Sequence, residues 1–402
     1  MNVKNLQKGL KPSIIRELFE YSNTLKQKIG ANNVYDFSIG NPYAPVPQTI
    51  KEEIGKIALS DKNHGYTSTC GDQESRQAIA TFLNTTYGSI FKDSNIFLTC
   101  GAASALAISF NALLNENDEV ILFVPFFPEY PTILSNLNVK IVLVNPDPKT
   151  MEPDLNDLKN KITSKTKLVI IDTPNNPSGV LYKEGTIKTI SSILEEKQNE
   201  YGTSIYLLSD EPYRELIYSK NCYPFITNFY RNSIIAYSFS KVLSMAGDRI
   251  GYIAINPEAD EAENFMYACV GASRTLGYVC APTIFQKLIP HILGITSDFS
   301  IYKEGREILL DNLQNIGYQI ICGEGAFYLL LKALEDDANK FSERAKTFNL
   351  IVVPTDPFGL KGYVRLSYAL PIQTIKNSIK AFKDLYNSYG DKKWEISKIC
   401  AF

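Results

Sequence analysis

Six short apolar runs, separated by segments with helical periodicity, constrain this chain more than any other feature of its sequence. They are Glu119–Val124, Lys140–Val144, Lys167–Ile171, Ser204–Leu208, Ser233–Ser238 and Ile250–Ile255. Runs this short and this apolar read as strands buried on both faces, because a half-exposed strand alternates polar and apolar residues. Between the second and third, Asp154 stands where a helix cap belongs, ahead of Leu155 and Leu158. Between the third and fourth, Ile187, Ile190, Ile193 and Leu194 recur at helical spacing. Buried strands alternating with amphipathic helices predict an α/β domain built on a mainly parallel sheet with helices on both faces.

The polar residues sit at the carboxyl ends of these runs. Pro125–Tyr130 (PFFPEY) follows the first, Asp172–Gly179 (DTPNNPSG) the third, Ser209–Arg214 (SDEPYR) the fourth and Ser238–Lys241 the fifth. Open α/β sheets bind ligands outside the carboxyl ends of their strands. One sheet edge is therefore expected to gather Phe127, Asn176, Asp210, Tyr213, Lys241 and Arg249. Upstream, an apolar run from Asn95 passes through Gly101 into a helical stretch that begins with Ala102 and Ala103. Small residues permit close backbone approach there, and the free N–H groups of a helix start suit an anion. The spacing of a Walker phosphate loop is absent.

The remaining segments are less regular. Residues 1 to about 35 read as mostly one amphipathic helix with Ile14, Ile15, Leu18, Phe19 and Tyr21 as its stripe. Gly40, Asn41 and Pro42 are turn residues, and Asp72 is a helix cap ahead of Ala78, Ile79, Phe82 and Leu83. The last third mixes helices (Tyr302–Leu313 and one marked by Ile375, Ile379 and Phe382) with apolar strands at Gly325–Leu331, Leu350–Val353 and Tyr363–Tyr368. A chain of 402 residues exceeds what one core usually serves. The expected division is a large domain over 46–290 and a smaller α+β domain made from 1–45 and 291–402.

Composition excludes several classes. A formal net charge of −2 gives nucleic acid or an anionic membrane no electrostatic footprint. The apolar runs are too short to span a bilayer, and the first residues lack the apolar core of a signal peptide, so a cytoplasmic protein is expected. The seven cysteines form no C-x-x-C pair, which argues for a reducing compartment and against a zinc site. His64 and His291 are the two histidines, too few and too far apart in sequence for a metal cluster.

The stretch Tyr237–Tyr252, YSFSKVLSMAGDRIGY, carries the most specific chemistry. A lysine at the end of a buried strand is partly desolvated, which lowers its pKa and arms it to attack a carbonyl and form a Schiff base. Ser238, Ser240 and Arg249 beside Lys241 suit a phosphate. An aldehyde-bearing phosphate ester is pyridoxal phosphate, and its other demands have candidates. Asp210 is a carboxylate for the pyridine nitrogen, and Asn176 and Tyr213 are donors to the ring oxygen. Phe127 offers a stacking face. Gly101, Ala102 and Ala103 add backbone to the phosphate site. Arg365, inside an apolar run, is the candidate for a substrate α-carboxylate. Each has a plainer reading: turn or capping aspartate, core aromatic, structural salt bridge.

The motifs FSIGNP, GYTSTCGDQESRQAIA, TCGAASAL, VPFFPEY, TPNNPSG, SDEPY, YSFSKVLSMAGDRIGY and GYVRLSY stand in order from Phe37 to Ser367. In that order and spacing the chain resembles the class I/II aminotransferases of the aspartate aminotransferase superfamily, pyridoxal-phosphate enzymes of fold type I. The resemblance implies a seven-stranded type of sheet in the large domain and a homodimer with shared active sites, in which Tyr66 reaches the partner's phosphate. It implies Lys241 as Schiff-base lysine and proton shuttle, and the Gly40 backbone near the α-carboxylate. The activity implied is ping-pong transfer of an amino group between an L-amino acid and a 2-oxo acid. Relatives specific for aspartate carry a lysine where this chain has Ala103. Arg274, in a stretch resembling one that supplies a partner's arginine, and Arg16 are the candidates to read a distal carboxylate; Phe19, Tyr43 and Tyr278 could instead line an aromatic pocket. A pyridoxal-phosphate β-lyase or an aminocyclopropane-type synthase shares nearly all these residues; a non-catalytic regulator of the same fold is the alternative from another class, and intact Lys241, Asp210 and Arg365 argue against it.

Overall fold

The computed structural model describes residues 1–10 and 13–390, so Cys400 and the end of the 291–402 segment lie outside the described residues. The principal sheet has seven strands: β1 (Ile96–Thr99), β2 (Glu119–Phe123), β3 (Lys140–Val144), β4 (Thr166–Asp172), β5 (Tyr206–Asp210), β6 (Ser233–Ser238) and β7 (Gly251–Ile255). They lie in the order β1-β7-β6-β5-β4-β2-β3. Strands β2 to β6 pair in parallel, and β7 runs antiparallel to both β6 and β1. The α/β reading and the mainly parallel sheet are thus what the chain adopts. One expectation differs: Lys140–Val144 is not buried on both faces. It has a single neighbour, as an edge strand, and Lys140 and Leu143 are exposed.

Successive strand residues point to opposite faces, so the two faces carry separate cores. Leu122, Ile170, Leu208, Ile234 and Ile253 pack against the helices Ala102–Leu113 and Ala262–Leu276. Phe123, Ile171, Leu207, Ile235 and Ala254 share the other core with the helices Gln73–Tyr87, Glu184–Tyr201 and Thr283–Ile292. Asp72 and Asp154 cap their helices through side-chain oxygens, as their positions predict.

A second core joins both ends of the chain. Strands β8 (Ile320–Ile321), β9 (Tyr328–Lys332), β10 (Val353–Pro354) and β11 (Tyr363–Ser367) form an antiparallel sheet in the order β10-β11-β9-β8. Its apolar side chains pack with the helices Ser300–Ile316, Ala338–Lys346 and Ile372–Asn387, and Phe37 and Ala44 join them. The stretch predicted as one strand at Leu350–Val353 divides. Leu350–Ile351 pairs in parallel with Tyr35–Asp36, while Val353 continues into β10. The N-terminal stretch also divides, into the helices Val3–Leu10 and Ile14–Ile29, the second capped by the Ser13 hydroxyl. Leu18 of that helix is buried against Val34, Ile351, Val353 and Phe358, whereas Tyr21, expected on the apolar stripe, is exposed.

Candidate active site

The parallel strands end at a cavity of about 250 Å³. Three neighbouring strands supply its floor: Asp172 of β4 stands opposite Asp210 of β5, and β6, whose Ala236 is opposite Asp210, runs two residues further to deliver Ser238. The Ser238 hydroxyl accepts the N–H of Ser240 at 3.1 Å and starts the single turn Phe239–Val242. That turn points Lys241 into the cavity, where its ammonium donates to the Gly40 carbonyl at 2.6 Å. Burial, helped by the charges of Arg365 and Arg249, pulls the Lys241 pKa down to about 8.

One end of the cavity suits an anion. The helix Ala102–Leu113 begins there with no side-chain cap, leaving its first N–H groups to a ligand. Gly101 has φ +82°, and a Cβ on it would lie 2.7 Å from Arg249 Nη2. The Arg249 guanidinium donates to the carbonyls of Ala246 and Cys100, both at 2.9 Å, which fixes it beside that helix start. The hydroxyls of Ser238 and Ser240, 2.7 Å apart, complete this end.

The floor is acidic. Asp210 accepts the Tyr130 hydroxyl at 2.8 Å through Oδ2, and its Oδ1 has no partner. Burial pushes its pKa up to about 7. Asp172 accepts the Asn176 N–H at 2.9 Å, also through one oxygen, and its Oδ1 is likewise unpartnered. Phe127 lines the cavity with its ring edge-to-face with Tyr130, centroids 5.5 Å apart.

The antiparallel sheet closes the other side. Arg365 of β11 is buried, donates to Asn176 Oδ1 at 3.0 Å and to the Ser38 carbonyl, and keeps Nε unpartnered. Ser38 comes within reach because Ser367 donates its N–H to the Phe37 carbonyl at 2.9 Å, laying the 37–40 segment against β11. Tyr213 and Tyr328 share a hydrogen bond of 2.8 Å at the cavity wall. Gly40 admits no side chain, since a Cβ would stand 1.8 Å from the Tyr328 hydroxyl oxygen.

The cavity thus brings together Gly40, Ala102, Ala103, Phe127, Asn176, Asp210, Tyr213, Ser238, Ser240, Lys241, Arg249 and Arg365, with Gly101 against Arg249. Six candidates stand outside it, among them Phe19, Tyr43 and Tyr278, which do not line it. Tyr66 is 91% exposed. Arg274 is exposed in the last turn of Ala262–Leu276. Arg16 is exposed too, and its neighbour Ile15 lines the cavity instead, because the stripe that buries Leu18 turns Ile15 inward. Sequence reasoning passed over Asp172, Tyr130, Tyr328 and Ile15. Asp172 ends a strand as Asp210 does, a signal that was available. Tyr328 lies in an apolar run and gave none.

On the far side of β5 the next residue, Glu211, takes part in a different arrangement. Arg214 is buried with its guanidinium 3.0 Å from Glu211, 3.2 Å from Glu215 and 2.8 Å from the Tyr252 hydroxyl. The Tyr237 ring covers it at 4.1 Å.

A strand-end lysine, an anion end and an acidic floor at the α/β sheet face a buried arginine of the antiparallel sheet, and comparison with known proteins places the arrangement. The profile described as aminotransferase class I and II matches residues 32–382. An aspartate aminotransferase of Pyrococcus horikoshii is 31% identical over 377 residues, 90% of this chain and 91% of that one. The crystal structure of an aminotransferase from Eubacterium rectale superposes with a TM-score of 0.94 at 44% identity, covering 97% and 99% of the two chains. The aspartate aminotransferase structure from Thermotoga maritima gives 0.85 at 28% identity, covering 94% and 98%. The chain belongs to the class I and II aminotransferases and is an enzyme that transfers amino groups.

Proposed function

We propose that this aminotransferase works with pyridoxal phosphate and moves an amino group between an L-amino acid and a 2-oxo acid by a ping-pong route. The observation that carries the reading is the Asp210 oxygen left without a partner on the floor of a cavity whose opposite end suits an anion. A buried carboxylate in that state calls for a cation, and a protonated pyridine nitrogen is one. The uncapped helix start at Ala102 and Ala103, with Gly101, Ser238, Ser240 and Arg249, fits the phosphate. Lys241 would hold the aldehyde covalently. Phe127 would stack on the ring, and Asn176 and Tyr213 would donate to its oxygen. When bound, the cofactor supplies an electron sink for the bonds at the substrate's α-carbon.

The chain's own groups do the rest. Arg365 clamps the α-carboxylate, with Nε still free to donate, and the Gly40 segment closes beside it. The Lys241 amine, brought by burial to a pKa of about 8, would be the group that moves the proton at the α-carbon. The exposed Tyr66, with Tyr43, Tyr267 and Val279 also exposed, supports a homodimer in which Tyr66 enters the partner's site. Arg274 carried across such an interface, or Arg16 after a movement of its helix, would read a distal carboxylate; Ile15 inside the cavity favours apolar or aromatic donors. The two cores on the faces of the seven-stranded sheet, and the separate core around the antiparallel sheet, support the division into 46–290 and 1–45 with 291–402. The six described cysteines are free, in keeping with a cytoplasmic protein. Among the described residues no helix is long and apolar enough to cross a membrane, and no cluster is placed to hold a metal.

The test is a single-turnover absorbance scan of purified, cofactor-loaded protein against a panel of amino acids. A visible band that disappears with a donor and returns with a 2-oxo acid supports transamination and names the donor. Ammonia and pyruvate released from a cysteine conjugate, without that return, would turn the reading to a β-lyase. Absence of any visible band would overturn Lys241 as the attachment point.

A further inference from the structure

The proposed chemistry at the cavity floor uses one carboxylate, Asp210, but the floor has two. Asp172 and Asp210 end adjacent parallel strands in direct register. Both line the cavity, both are at most 5% exposed, and each keeps one oxygen without a partner. The local hydrogen bonds are unequal to two charges. Asp172 Oδ2 takes the Asn176 N–H at 2.9 Å and the Asn175 amide at 3.4 Å, while Asp210 Oδ2 takes the Tyr130 hydroxyl at 2.8 Å. Among the described residues neither carboxylate forms an ion pair. The cations of the cavity are turned elsewhere: Lys241 to Gly40, Arg249 to Cys100 and Ala246, Arg365 to Ser38 and Asn176.

We propose that Asp172 and Asp210 form a one-proton pair, in which Asp172 carries the proton on its free oxygen and stands as a neutral acid beside an ionised Asp210. Two like charges on adjacent strand ends, out of water and without a cation, cannot both persist, so one proton from solvent stays with the pair. Both accept hydrogen bonds, and Asp210 keeps the charge because Asp172 is raised further, by burial together with its neighbour's charge. The other groups acting on Asp172 are Tyr130, Tyr182, Tyr213 and Tyr328, all buried tyrosines whose own ionisation is disfavoured and which bring no positive charge. Burial and the Asp210 charge both raise Asp172 well above the carboxylate range, opposed by the Asn176 N–H and the longer contact from the Asn175 amide. Asp172 is thus a positioning residue that leaves a single negative charge on the floor. Its consequence for the cofactor, a pyridine nitrogen facing one anion and not two, rests on the reading above; the proton pair does not.

The measurement is infrared spectroscopy of the full-length apo-protein labelled with ¹³C-carboxyl aspartate. The label separates these groups from Glu211, which burial also raises. A carbonyl band of a protonated aspartic acid is expected at pH 7, and Asp172→Asn should remove the part of it that titrates highest, leaving that of Asp210, which burial holds at about 7. In Asp210→Asn the Asp172 part persists with its titration midpoint moved to lower pH, because the neighbouring charge is gone. No band in the wild type, a band in Asp172→Asn that titrates as high as in the wild type, or an unmoved midpoint in Asp210→Asn overturns the pair. If Asp172→Asn fails to fold, the wild-type and Asp210→Asn titrations decide alone. With cofactor bound, the pH at which its visible band changes should shift in Asp172→Asn. A shift absent while the apo-protein bands behave as expected would count against the cofactor reading and not against the pair.

Discussion

Asp210 and Glu211 are consecutive residues at the end of one strand, and they sit in opposite kinds of environment. Strand alternation sends one to each face of the sheet. Glu211 meets Arg214, which also holds Glu215 and Tyr252 and lies under the Tyr237 ring. Asp210 meets a tyrosine and a second carboxylate and, among the described residues, no cation. Both are fully desolvated, so the burden of burial is similar. The difference is that one charge is answered inside the chain and the other is not. Paired buried charge belongs to the architecture; unpaired buried charge lining a cavity belongs to a ligand.

The strongest test of that distinction removes the group the cavity is arranged around. Lys241→Ala should lower single-turnover transamination by at least about 10⁴-fold, combining loss of the attachment point and of the proton carrier. Its unfolding midpoint should not fall, since it takes a desolvated amine out of the apo-protein. A variant retaining more than a hundredth of the activity would break the assignment.

The opposite result is expected across the sheet. Arg214→Leu leaves Glu211 and Glu215 without a cation and should cost about 3–5 kcal/mol of unfolding free energy in urea. Activity per folded molecule should stay close to wild type, because no atom of Arg214 lines the cavity. Arg214→Met combined with Glu211→Gln should recover part of the loss, since the cost lies in the unanswered charge. If Arg214→Leu instead left stability intact, the contrast between the two faces would fail.

Arg365 lies between these cases, buried like Arg214 but with one donor still free. Arg365→Ala should lower kcat/KM for amino acids by about 10²-fold or more, the usual scale for truncating a buried charge partner. A primary amine without a carboxylate should lose far less. Equal losses for both would make Arg365 a structural residue after all.

How much of this was legible beforehand follows the same division. The apolar runs and Asp154 located the strands and a helix because burial and capping leave local patterns. Asp210, Asn176, Lys241 and Arg249 were legible because strand ends are where a parallel sheet meets its ligand. Lys140–Val144 misled because an apolar run does not tell a central strand from an edge one. Arg16 was preferred to Ile15 because the direction of a helix stripe depends on what Leu18 packs against, a contact with residues more than three hundred positions away. Tyr328 reaches Gly40 and Tyr213 only through tertiary packing, and no spacing in the sequence signals it.

The smallest effect probes the electrostatic side of the comparison. Lys241 is pulled to about 8 chiefly by burial, with Arg365 and Arg249 adding to it. Its folded value is below its ordinary 10.5, so the fold favours the neutral amine. The stability it contributes is therefore present above 10.5 and is lost as pH falls through about 8. Capture of pyridoxal phosphate by the apo-protein, followed by absorbance, should consequently inflect near pH 8. In Arg365→Leu one positive charge leaves and the inflection should move upward, by less than the full return because burial remains. In Arg214→Leu it should not move, since that charge lies across the sheet and is held by its own carboxylates. An inflection that followed Arg214 and ignored Arg365 would mean that the two faces are electrically one site.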